Sequence, residues 1–308
     1  MKKSVKGLAV GLTALTMVTA VPAGMNMYAE TKATEAKTTE AENVSEDFKE
    51  SKNIWVIGDS IASEHDIDEA NEVQITGWGN VLQQMLPEDV TIINKARSGR
   101  SSKSYTTEQV YKEVLKGVKE GDYVIIQFGH NDEKEGKKLF TSPEGASTEE
   151  GSYKYYLKTK FIEPIYEKGG RVILASSVVR HLFAGNELAE QTHGVYAQAM
   201  KELAEECKKE GKEIYFIDTY KVTGDIYKRL GNEETKKLHA ILGKGDAAKI
   251  DDTHYSPYGA VYMASEIGQQ LKELGLSCVQ DVQKAWVIED NAEEISEKRA
   301  SLNKFDWR

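Results

Sequence analysis

The chain has 308 residues, enough to bury one large α/β core or two small ones. Acids outnumber bases by 50 to 40, and the net charge of -10 argues against nucleic acid as a partner, because neutralising phosphates requires a basic face. Two cysteines are too few for a disulfide scaffold, which leaves either one Cys207–Cys278 bridge or two separate buried thiols.

Residues 1–29 read as an export signal. Lys2, Lys3 and Lys6 form a basic start, an apolar run follows from Leu8 to about Val21, and Ala29 offers a cleavage site, with Ala23 as the second choice. The apolar run is shorter than the ~20 residues of a spanning helix, and Pro22 and Gly24 break it, so a retained anchor is the weaker reading. Cleavage moves the net charge to about -13 and releases a secreted chain with no membrane contact. Residues 30–50, mostly Glu, Thr, Ala and Lys, read as a disordered spacer.

A domain follows over residues 51–278. Short β-branched runs recur at Ile54–Ile57, Val90–Ile93, Tyr123–Ile126, Val172–Leu174 and Ile214–Ile217. Nearly free of polar residues, they predict strands buried on both faces, hence a parallel sheet. Helical patterns lie between them at Asn80–Leu86, Thr107–Val118, Tyr153–Lys168 and Val195–Lys209, two of them ending at glycine stops, Gly169-Gly170 and Gly211. A last helix is predicted from Pro257 to about Leu274. This alternation predicts a three-layer α/β/α doubly wound sandwich around a five-stranded parallel sheet. Residues 279–308 form an acidic tail in which Trp286 and Trp307 suggest packing against the domain.

Ligands bind beyond the carboxyl ends of the strands in such a sheet. The first strand runs into Gly58-Asp59-Ser60, which places a hydroxyl there; a helix cap is the plainer use of such a serine. Gly99, after the second strand, lets a backbone N–H approach a ligand; Asn131, after the third, carries an amide that can face a developing oxyanion. Asp251-Asp252-Thr253-His254 precedes the last helix. A carboxylate there can fold back on the histidine and fix its tautomer, and either aspartate meets that need. A capping cluster is the competing use, and a metal site is disfavoured because no second histidine or cysteine stands at ligand spacing. His65, His181, His193 and His239 lack such a context, the first, third and fourth being read as ordinary surface or core residues. Together the motifs supply a nucleophile, oxyanion donors and a base with its orienting acid, the parts that cleave an ester.

At these residues the chain resembles the SGNH, or GDSL, hydrolases, and within them the rhamnogalacturonan acetylesterases. The resemblance rests on Gly58-Asp59-Ser60, Gly77-Trp78-Gly79, Gly99-Arg100-Ser101, Phe128 to Asp132, Thr253-His254 and Ser256-Pro257, spread over about residues 53–274. It implies a flavodoxin-like fold and a catalytic triad of Ser60, His254 and Asp251, the aspartate three positions before the histidine. It also implies an oxyanion hole of the Ser60 and Gly99 N–H groups with the Asn131 amide, and no cofactor or metal. The implied activity is removal of O-acetyl groups from a plant cell-wall polysaccharide, most of all rhamnogalacturonan; with the export signal, the chain is expected to act outside the cell, as a monomer. The loop 133–152, the segment 180–193 and the tail follow no matched family pattern, and loops set substrate choice. Acetylxylan or another acetylated glycan is therefore the alternative polymer. A lipid or thioester hydrolase and a non-catalytic carbohydrate-binding protein are the more distant alternatives. Pectin is acidic like the chain, so Arg97, Arg100 and Arg180 are candidate holders of its carboxylates, with solvated rim charges as the plainer reading.

Overall fold

The computed structural model describes residues 51–65, 75–243 and 245–279. The expected signal, spacer and tail, with Trp286 and Trp307, lie outside the described residues.

In chain order the elements are β1 (Asn53–Gly58), α1 (Trp78–Val81), β2 (Thr91–Asn94), α2 (Ser102–Tyr105), α3 (Gln109–Gly117), β3 (Tyr123–Gln127) and α4 (Tyr153–Tyr155). A π-helical stretch, Tyr156–Ile162, joins α4 to α5 (Glu163–Tyr166). Then come β4 (Arg171–Ala175), β5 (Phe183–Ala184), β6 (Glu187–Leu188), α6 (Gly194–Lys209), β7 (Ile214–Ile217) and α7 (Thr219–Lys236). The chain closes with β8 (His239–Leu242), β9 (Lys249–Tyr255) and α8 (Pro257–Glu273).

Five strands form one parallel sheet in the order β2-β1-β3-β4-β7. Side chains alternate across it and build two cores. Ile54, Val56, Ile125, Ile173 and Ile217 pack on one face with Trp78, Tyr227 and the inner side of α8. Trp55, Ile57, Ile126, Leu174 and Ile214 pack on the other with Val114, Phe161 and Leu203. This is the expected three-layer α/β/α arrangement around five parallel strands. The strand order reverses between β2 and β3, both paired to β1, so the switch point lies at the carboxyl ends of β1 and β3. The two expected helix stops hold, with Gly169 and Gly211 at φ 76° and 81°.

Several features differ from expectation. The Asn80–Leu86 helix is one α-turn, Trp78–Val81, followed by a 3₁₀ turn over Leu82–Met85. Helix α7 carries no clear sequence signal, because Thr, Asn and two glycines dilute its pattern, and Gly231 breaks its helical path. The Asp251–His254 motif is part of strand β9, paired antiparallel to β8 in a separate two-stranded sheet. No disulfide joins Cys207 and Cys278, and both are buried.

Candidate active site

Directly after β1 the chain makes a tight turn. The N–H groups of Ala62 and Ser63 donate to the Asp59 carbonyl at 3.3 and 3.2 Å, and Ile61 N–H donates to Asp59 Oδ1 at 3.0 Å. The turn presents Ser60 at the switch point. His254 reaches it from β9: Nε2 lies 2.9 Å from Ser60 Oγ, and Nδ1 lies 2.8 Å from Asp251 Oδ2. The other Asp251 oxygen accepts Thr253 N–H at 2.9 Å and His254 N–H at 3.0 Å. Burial acts to raise the Asp251 pKa, but His254 and these backbone donors outweigh it and hold the group at about 2. The carboxylate therefore stays ionised, and Nδ1–H of the imidazole donates to it. Asp252 faces elsewhere: its carbonyl accepts His181 N–H at 2.8 Å, and its carboxylate lies 3.6 Å from His181 Nδ1.

The strand is supported from behind. His239 is buried, and burial drives its pKa down to about 3, so it is neutral. Its Nδ1–H donates to the Asp251 carbonyl at 2.9 Å, and its Nε2 accepts the Tyr227 hydroxyl at 2.7 Å.

The backbone N–H groups of Ser60 and Gly99 have no hydrogen-bond partner among the described residues. Gly99 has φ 74°, where an L side chain is strained, and the surrounding space is open, so backbone angle is what calls for glycine here. Asn131 follows β3 and is 3% exposed. Its Nδ2 donates to the Arg100 carbonyl at 3.1 Å, which ties it to the loop that carries Gly99. Next to it, buried Asp132 accepts from the Ser102 hydroxyl at 2.5 Å and the Thr141 hydroxyl at 2.8 Å. Burial raises the Asp132 pKa and these donors lower it, for a balance of about 7.

The three arginines have different surroundings. Arg97 is exposed and donates to the adjacent Ala96 carbonyl. Arg100 pairs with Glu108 at 2.7 Å. Arg180 is mostly enclosed: it pairs with Glu133, contacts His193 Nδ1 at 3.1 Å and donates to the His130 carbonyl at 3.4 Å. Glu133 also accepts the Thr192 hydroxyl at 2.6 Å, so the two segments without a matched family pattern are tied together beside the site.

His65, read from the sequence as an ordinary surface or core residue, and Lys134, which no motif singled out, both stand at the site. Nε2–H of His65 donates to the Ser60 carbonyl at 2.7 Å, and its ring meets His254 edge-on at 5.8 Å. Lys134 donates to Asn131 Oδ1 at 2.5 Å. Their signal was short spacing from a motif, five positions after Ser60 and three after Asn131, and neither residue type is distinctive in a polar loop.

The model of the GDSL-like lipase/acylhydrolase family matches residues 54–267. The chain belongs to that family. This GDSL hydrolase is similar to rhamnogalacturonan acetylesterase RhgT of Bacillus subtilis, 32% identical over 235 residues that cover 74% of this chain and 93% of the relative. It is also similar to the probable rhamnogalacturonan acetylesterase YesY of the same organism, 30% identical over 75% of this chain and 97% of the relative. Among solved structures, the crystal structure of YxiM from Bacillus subtilis superposes with a TM-score of 0.59 at 25% identity, covering 73% of this chain and 57% of that one. Among the described residues no helix is long and apolar enough to cross a membrane.

Proposed function

We propose that this GDSL hydrolase is a secreted serine carbohydrate esterase that removes O-acetyl groups from plant cell-wall rhamnogalacturonan. One observation carries the chemistry: His254 contacts the Ser60 hydroxyl through one ring nitrogen and the Asp251 carboxylate through the other. The two rhamnogalacturonan acetylesterase relatives, each matched over nearly its whole length, support the substrate class. The basic and apolar N-terminal run, with its small residue at Ala29, supports secretion.

In this reading His254 Nε2 accepts the Ser60 proton as Oγ attacks the acetyl carbonyl. Asp251 holds the tautomer that leaves Nε2 free to accept, and it stabilises the imidazolium that forms. The unpartnered N–H groups of Ser60 and Gly99, with the Asn131 amide, receive the negative charge that develops on the carbonyl oxygen. The imidazolium returns its proton to the departing sugar hydroxyl. Water, deprotonated by the same imidazole, then releases acetate from Ser60.

Acetate release from acetylated rhamnogalacturonan and acetylated xylan, by wild type and Ser60→Ala, tests the proposal. The expected result is release from rhamnogalacturonan by wild type, far less from xylan, and none by Ser60→Ala. Equal release by Ser60→Ala overturns the nucleophile. Faster release from xylan overturns the polymer alone.

A further inference from the structure

Asn131 is held at both ends of its amide. Nδ2 donates to the Arg100 carbonyl, and Oδ1 accepts from the Lys134 ammonium. The two ends of an amide are nearly equal in shape, so their neighbours decide which is which. A carbonyl at one end and a cation at the other leave one orientation. The oxygen faces Lys134, and the NH₂ group faces the Gly99 loop.

Lys134 belongs to the same turn as Asn131. The N–H groups of Asp132 and Glu133 donate to the Gly129 carbonyl at 3.1 and 3.4 Å, and Lys134 N–H donates to the Asn131 carbonyl at 3.3 Å. The ammonium thus covers a buried amide from the solvent side, since Lys134 is exposed and Asn131 is not. The nearby cations Arg100 and Arg180 are neutralised by Glu108 and Glu133. Among the described residues no carboxylate lies within ion-pair distance of Lys134. Its ammonium is therefore free of an ion pair and meets the amide oxygen directly.

We propose that Lys134 is a positioning residue of the oxyanion hole: it fixes the Asn131 amide and polarises it, making the second Nδ2–H a stronger donor to the transition-state oxygen. A charge-assisted hydrogen bond to Oδ1 draws electron density from the amide nitrogen and makes its N–H groups more acidic. That gain is largest where negative charge develops, so it lowers the barrier more than it strengthens substrate binding. The inference rests on the ester-hydrolysis reading above.

Steady-state kinetics with an uncharged aryl acetate test it, because that substrate removes any direct attraction between Lys134 and a uronate. The variants are Lys134→Met, Lys134→Gln, Asn131→Ala, the Asn131→Ala/Lys134→Met double variant and Ser60→Ala. Lys134→Met is expected to lower kcat about tenfold with KM within about twofold of wild type. Lys134→Gln, which can still donate to Oδ1, is expected to lose less, and it serves as the readout if Lys134→Met does not fold. In the Asn131→Ala background Lys134→Met is expected to change kcat by less than about twofold, since its target is gone. Wild-type kcat in both Lys134 variants, a change confined to KM, or an equal loss with and without Asn131 each overturn the proposal. An active Ser60→Ala enzyme overturns the ester-hydrolysis reading itself. A Ser60-dependent enzyme that is indifferent to Lys134 sinks the Lys134 inference alone.

Discussion

His254 Nε2 lies 2.9 Å from Ser60 Oγ although 194 positions separate the two residues. Ser60 is set by the turn after β1, and His254 by a hairpin outside the main sheet. A backbone hydrogen bond also joins the two regions: Thr76 N–H, in the segment leading to α1, donates to the Tyr255 carbonyl at 3.0 Å.

Asp251 holds the opposite ring nitrogen, accepting Nδ1–H of the imidazole, and its replacement tests the triad without removing either reacting group. Asp251→Asn keeps the shape but lets the amide present a donor to Nδ1, which favours the wrong tautomer. The expected loss in kcat is roughly a thousandfold or more, with KM little changed. Kinetics on an aryl acetate check it, and a loss below tenfold would remove Asp251 from the triad.

Gly259 couples stability to the site through backbone. A Cβ there would stand 1.9 Å from the Leu238 carbonyl oxygen, which also accepts Ser256 N–H at 3.0 Å. Gly259→Ala must push α8 away from Leu238, the residue just before β8, and β8 carries the His239 support of Asp251. The expected cost is about 1–3 kcal/mol or more in urea unfolding, accompanied by reduced kcat. An unchanged midpoint would show that the helix start yields freely.

Asp59 gives a pH signature. It is buried beneath Ser60, one carboxylate oxygen has no hydrogen-bond partner, and burial raises its pKa from 3.8 to about 6 despite the Ile61 hydrogen bond and nearby positive charge. The folded state holds this proton more tightly than the unfolded chain does. Its contribution is therefore full below about pH 4 and is lost as pH rises to about 6. Asp59→Asn has no proton to lose, so its melting temperature minus that of wild type should rise from pH 4 to pH 6 and then level off. Parallel thermal melts read this directly; a difference that stays flat across the range would refute it.

Arg180 and Glu133 are 16% and 17% exposed at their side chains, so their ion pair is largely withdrawn from water. Arg180→Met strands the Glu133 carboxylate with Thr192 as its remaining partner, at an expected cost of about 3 kcal/mol. Adding Glu133→Gln should recover part of that loss, because the stranded charge goes with it. Urea titrations of the single and double variants check both, and additive losses would contradict the pairing.

Much of the site was legible because strand ends mark it. The β-branched runs of β1 and β3 end at Ser60 and Asn131 for local reasons, and a parallel sheet places its carboxyl ends on one edge. The π-helical stretch and α7 were not legible as such. A π-turn differs from an α-turn by a single hydrogen-bond shift, and α7 owes its helix to burial of Ile226, Tyr227 and Leu230 rather than to propensity. The fate of the arginines was equally hidden, since Arg180 is captured by Glu133 from a loop 47 positions away.

By itself the sequence determined the strands, the sheet class and the residue types waiting at the strand ends, because these follow from side-chain branching, burial and turn chemistry over a few neighbouring positions. Side-chain chemistry along the chain left Asp251 and Asp252 open and the family resemblance implied Asp251, whose carboxylate meets the imidazole; only the tertiary structure decided that β9 is a strand and that His65 and Lys134 stand at the site. Each of those outcomes depends on a hydrogen-bond partner brought near by chain folding or by the turn of a loop, and periodicity along the chain carries no trace of such a partner.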